Sequence, residues 1–278
     1  MRNNGSVLTL LRDLLCGGLI GAGAILPGVS GGVLAIIFGI YEPLMELITN
    51  PRQGLRQHGA RFVPVILGIG IGFLVFAKGV LAFFHLSYTV AVWAFIGLIL
   101  GTMPALFREA GVCGRGAKGW GSMALCGTLM FAVLYYVSHV AAIQVTPDFW
   151  WHCFCGVLLG VGIIIPGLST SGVLMAMGLY EPMLEALSGL DWSVLLIYGP
   201  SLMLTILLLA RWVRWMFQKC YTVAHHGIIG IVVASTLTII PLEYSNTREI
   251  VLSAICCAAG FVMAFAMERL DREIKREM

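Results

Sequence analysis

A segment of 31 residues occurs twice in this chain, and in both copies a Pro-Gly pair cuts through apolar sequence. CGGLIGAGAILPGVSGGVLAIIFGIYEPLME begins at Cys16, and CGVLLGVGIIIPGLSTSGVLMAMGLYEPMLE begins at Cys155. The offset, 155 − 16 = 139, holds without a gap. Apolar composition alone would align leucines and glycines, but not P-G-x-S and G-x-Y-E-P at one shared spacing. The chain reads as two homologous halves, residues 1–145 and 146–278.

Composition says where such a chain must live. Only 11% of its residues are charged and 59% are hydrophobic. A globular chain carries about 25% charged residues, so too little polar surface is available here for a soluble fold. Besides the repeats, apolar runs cover residues 62–84, 90–107, 120–140, 192–212, 227–242 and 250–267. A helix crossing a hydrocarbon core needs about 20 residues, so these are six candidate spans. The expected fold class is an all-α polytopic membrane protein. The net charge of +3 is small and dispersed, which argues against nucleic acid as a partner. The eight cysteines lack a paired C-x-x-C spacing with nearby His, so they read as small buried thiols rather than metal ligands, and no cofactor is expected. Residues 1–13 do not read as a signal peptide, because Arg12 and Asp13 interrupt a short apolar stretch.

Loop charge orients the halves. Arg2 and Arg12, then Arg52, Arg56 and Arg61, flank the first broken element on both sides. Basic loops face the cytoplasm, so that element should enter and leave on the inside. Its apolar leg before Pro27 covers residues 14–26, about 20 Å of helix and too short to cross. The second broken element is flanked by Asp148 and Asp191 without Lys or Arg, and should dip from the outside. Six spans and two re-entrant hairpins, about residues 14–41 and 150–180, then form two repeats of inverted topology. Both termini fall in the cytoplasm.

The hairpin tips carry the chemistry. Irregular backbone at membrane depth persists only when buried in protein or lining a wet cavity. A helix starting just after each tip would aim unbonded N–H groups at the membrane centre. Gly28, Gly31, Gly32 and Gly167 permit close backbone approach, and Ser30, Ser169, Thr170 and Ser171 add hydroxyls. Such a set suits a phosphate or carboxylate. One copy could equally be a tight packing contact with capping serines; two copies on opposed hairpins favour a site. Lys78, inside a span, and Arg211, near the inner end of another, are further candidates for an anionic headgroup. Lys78 could instead snorkel outward, and Arg211 also fits the positive-inside pattern. Glu42 and Glu181, with Tyr41 and Tyr180 before them, are candidates for coupling or gating, or else interfacial residues that end a helix.

These paired signatures resemble the bacterial polyprenyl-phosphate transporter family, PopT, over nearly the whole chain, including FIGLILGT at residues 95–102. The resemblance implies a flippase, not an enzyme, of the bacterial cytoplasmic (inner) membrane. It implies return of undecaprenyl phosphate to the cytoplasmic leaflet for envelope synthesis, with membrane lipids as surroundings. Self-association as a homodimer stays open. Thr170 and Ser171 stand where the first tip has Gly31 and Gly32, so the two tips need not be equal. A channel or carrier for a small soluble anion could use the same tips. A third reading, an intramembrane serine protease using G-x-S-G at Ser30, needs a histidine base, yet all six histidines fall near span ends.

Overall fold

Glycines four apart on apolar sequence set how this chain packs. In lipid no hydrophobic force drives one helix onto another, so helices associate where small residues let their backbones approach. The computed structural model describes residues 7–26, 34–35, 38–40, 43, 51–114, 116–137, 148–165 and 170–277. Helix α1 is Val7–Ile25, and α2 is Pro51–Leu86. Gly17 and Gly21 of α1 lie so close to the Val65 and Ile69 carbonyls of α2 that a Cβ at either would collide with backbone. Gly68 and Gly72 of α2 return the contact against Leu14 and Gly18.

Tyr88–Ala110 forms α3 and Ala117–Tyr135 forms α4. In the second half, α5 is Phe149–Ile164, α6 is Ser171–Ala176 and α7 is Tyr180–Ser188. Trp192–Lys219, Tyr221–Thr238 and Thr247–Glu277 are α8, α9 and α10. Among the described residues, six stretches are long and apolar enough to cross a membrane: Arg61–Leu86, Tyr88–Ala110, Ala117–Tyr135, Trp192–Lys219, Tyr221–Thr238 and Thr247–Leu270. The described residues contain helices and no strands. Leu125, Leu196, Leu207 and Leu208 stand exposed along these helices, as lipid-facing side chains would.

Four helix pairs make the most extensive contacts: α1 with α2, α5 with α8, α3 with α10 and α4 with α9. If α1 to α4 of the first half are matched in order with α5, α8, α9 and α10 of the second, the pairs map onto each other. The α1–α2 contact becomes α5–α8, and α3–α10 becomes α9–α4. The described ends of the two second legs match in backbone detail. Phe38 N–H bonds to Leu34 and Ile40 N–H to Ala35; 139 residues on, Met177 N–H bonds to Val173 and Leu179 N–H to Leu174. Gly39 and Gly178 both adopt positive φ, +61° and +69°, where a side chain would be strained.

Two lengths differ from expectation. Helix α1 begins at Val7, seven residues before the expected apolar leg, and its 19 residues rise about 28 Å. Arg12 and Asp13 do not break it, because Arg12 is exposed while buried Asp13 is paired with Arg61. The length of this leg alone therefore does not exclude a crossing. The second leg expected to end at Tyr180 is followed directly by α7, which runs to Ser188.

Candidate substrate site

The tip residues Gly28, Ser30, Gly31, Gly32, Gly167 and Ser169 lie outside the described residues, as do Tyr41 and Glu42. What is described is the frame on either side. Helix α1 ends at Ile25, and Leu26 directly precedes the first Pro-Gly. At the second tip, Thr170 is buried at the head of α6, and Ser171, its first residue, is half-buried. Gly172 packs against the Ser235 hydroxyl of α9, where an added Cβ would stand 3.3 Å away. The start of α6, just after the second tip, is thus seated on α9. Helix α6 has only six residues, so its contribution at the tip comes from local donors rather than from a long helix dipole.

Tyr180 ties the two halves together. Its ring is fully buried, edge-on to Phe84 and Phe95, and its hydroxyl donates a 2.8 Å hydrogen bond to the Ile25 carbonyl. That carbonyl ends α1, where the helix can no longer supply an N–H partner. A buried cluster including Ile25, Phe84, Phe95, Leu174, Tyr180 and Leu184 surrounds the bond. Sequence reading offered Tyr180 for gating; here its hydroxyl is occupied by this tie.

Beside it, Phe84, Tyr88, Met175, Gly178, Tyr180, Glu181 and Pro182 line a cavity of about 260 Å³. Desolvation raises the Glu181 carboxyl above its usual range; His85 opposes the shift and Glu185 adds to it. His85 Nε2 lies 4.0 Å from Glu185 Oε1, with both side chains largely in the open. Carboxyl and aromatic walls do not by themselves attract an anion, so this mouth is distinct in chemistry from the tips. Lys78 and Arg211 are both exposed, on α2 and α8, and neither lines this cavity.

Sequence reading missed a second set of polar contacts. Arg61 Nε lies 3.3 Å from Asp13 Oδ1, while its two terminal nitrogens donate to the carbonyls of Gly39 and Phe38, each at 3.3 Å. One side chain therefore joins α1, α2 and the end of the first hairpin's second leg. The 139-residue offset carries Asp13 onto His152, whose Nδ1 lies 3.3 Å from the Tyr198 hydroxyl of α8. The offset takes Arg61 to Pro200 rather than to Tyr198, so the repeat does not link the two pairs, and loop charge alone made Arg61 a topology marker.

Comparison with known proteins gives the same family twice. A family described as undecaprenyl phosphate translocase-like matches residues 20–256. A polyprenyl-phosphate transporter from Vibrio cholerae serotype O1 is 25% identical over 252 residues, covering 85% of this chain and 80% of that protein. No solved structure matches the chain.

Proposed function

The chain belongs to the undecaprenyl phosphate translocase-like family, a transporter rather than an enzyme family, and from that premise we propose that it returns undecaprenyl phosphate from the outer to the cytoplasmic leaflet. In this reading the phosphate is held between the two hairpin tips by backbone N–H groups and hydroxyls, while the polyprenyl tail stays in lipid. The protein is a multi-pass protein of the bacterial inner membrane with both ends in the cytoplasm. Moving a charged headgroup through hydrocarbon costs several kcal/mol or more even when partly relieved, so donors at depth must replace its water.

The bond from Tyr180 to Ile25 carries this reading. It docks the second hairpin's outgoing leg onto the last turn before the first Pro-Gly, which supports two tips sharing one site. The paired helix contacts and the matched leg ends support two repeats of inverted topology, each with a re-entrant hairpin. The exposure of Lys78 and Arg211 leaves them as outer contacts for a headgroup on its way in or out.

The test is movement of labelled polyprenyl phosphate across proteoliposome membranes, with soluble phosphate as the competing cargo. Wild-type protein should move the lipid and not the soluble ion. Gly31→Val and Gly32→Val, adding a β-branched side chain at the first tip, should abolish movement in correctly folded protein. Normal movement in both variants would take the phosphate away from that tip.

A further inference from the structure

The two second legs end alike, yet among the described residues they are held by different means: a guanidinium on the carbonyls of the first, and the buried Tyr180 hydroxyl on the Ile25 carbonyl just after the second. At the first, the Phe38 and Gly39 carbonyls each accept from Arg61, whose third nitrogen faces buried Asp13. At the second, the matching carbonyls belong to Met177 and Gly178. Among the described residues no side chain donates to them, and Gly178 instead borders the 260 Å³ cavity. The helix pair behind each hairpin repeats the contrast. Asp13 meets Arg61, a forked cation with donors to spare; His152 meets Tyr198, whose one hydroxyl proton can serve one acceptor.

We propose that Arg61 is a positioning residue for transport: its guanidinium latches the base of the first hairpin to α1 and α2 and so fixes the leg that follows the first tip. The inference rests on the transporter reading above. It assigns Arg61 no contact with substrate; Arg61 acts through the leg that follows the first tip. Three elements meet at this one side chain, and a planar fork is needed to reach them all. Lysine offers a point charge in its place, able to face Asp13 or one carbonyl but not to span all three. A carboxylate at position 61 could pair with a cation at position 13, but it has nothing to donate to a carbonyl. That difference separates a latch from a plain ion pair.

Four proteins decide it: wild type, Arg61→Lys, the double variant Asp13→Asn with Arg61→Gln, and the exchange Asp13→Arg with Arg61→Asp. The double variant avoids leaving a buried carboxylate unpaired, so it should fold where a single neutralisation would not. Amide hydrogen exchange in lipid nanodiscs reads the latch without reference to cargo. In the double variant and the exchange, the Phe38 and Ile40 amides should exchange at least tenfold faster, with Met177 and Leu179 unchanged. In transport assays both should raise the KM for polyprenyl phosphate about tenfold or more, while Arg61→Lys falls between them and wild type. Unchanged exchange at residues 38 and 40 would overturn the latch whether or not any lipid moves. So would wild-type KM in the exchange variant, because an ion pair alone would then suffice. If wild type moves no polyprenyl phosphate, the transporter reading fails, and the exchange rates still judge the latch.

Discussion

The helix pairs α1–α2 and α5–α8 occupy equivalent places in the two halves, and they solve the same packing problem with different materials. In the first pair, glycine meets backbone: Gly17 and Gly21 lie against the Val65 and Ile69 carbonyls. In the second, Gly156 meets the Ser201 hydroxyl and Gly160 meets the Cβ and methyl of Thr205, with the Tyr198 and Leu202 carbonyls close behind them. The Ser201 hydroxyl can turn away; a carbonyl of a packed helix cannot. The first pair is therefore the stiffer one, and its polar tie, an ion pair forked onto two carbonyls, adds to that stiffness.

The largest effect expected from this contrast is at Gly17. Gly17→Ala should destabilise the protein by about 1–3 kcal/mol or more, the usual cost of overpacking, because neither helix can yield. Gly156→Ala should cost less, and adding Ser201→Ala should recover part of the loss. Thermal unfolding of the purified variants in one detergent checks both. Equal losses at the two glycines, with no recovery, would erase the difference in stiffness.

An intermediate effect should follow from cutting the tie between the halves. Tyr180→Phe leaves the buried Ile25 carbonyl without its partner, at a cost of about 1–3 kcal/mol. The repeat predicts a loss of similar size for Tyr41→Phe. A loss confined to Tyr180→Phe, in the same unfolding assay, would mark the two hairpins as unequal there too.

The smallest effect is at the cavity mouth. Since burial raises the Glu181 carboxyl, the folded protein holds its proton more tightly than the unfolded chain does. The stability this gives is full below the ordinary carboxylate range and is lost as pH rises through the raised value. Glu181→Gln should remove that part of the pH dependence, and the change should be slight because the side chain is only half-buried. Unfolding profiles across acidic pH that coincide for wild type and variant would remove Glu181 as a perturbed group.

The spans were legible because their signal is local: runs of apolar residues between charged loops. The expected run 90–107 lies within Tyr88–Ala110, and 192–212 within Trp192–Lys219. The repeat was legible too, since Pro-Gly and Tyr-Glu-Pro at fixed spacing survive any divergence of lipid-facing residues. What sequence hid was charge made harmless by distant partners. Asp13 reads as a break in an apolar leg, but 48 residues separate it from the Arg61 that neutralises it, and no local pattern links them. The tie from Tyr180 to Ile25 spans 155 residues and was hidden for the same reason. Of the candidate site, the tip glycines and serines were legible as a duplicated Pro-Gly motif, a signal as local as that of the spans.

The two halves are proposed to face opposite ways, so that the first hairpin opens inward and the second outward. Gln53→Cys, exposed at the start of α2, and Leu190→Cys, exposed just after α7, report on the two bases. Each is placed in a chain whose other cysteines are replaced, and native Cys113 or Cys220, both exposed in loops expected to be cytoplasmic, is kept alone as an inside reference. Intact cells are treated with a membrane-impermeant thiol reagent. The account predicts labelling of Leu190→Cys from outside, and labelling of Gln53→Cys, like the reference, only after the membrane is opened. Labelling of both positions from the same side would contradict it.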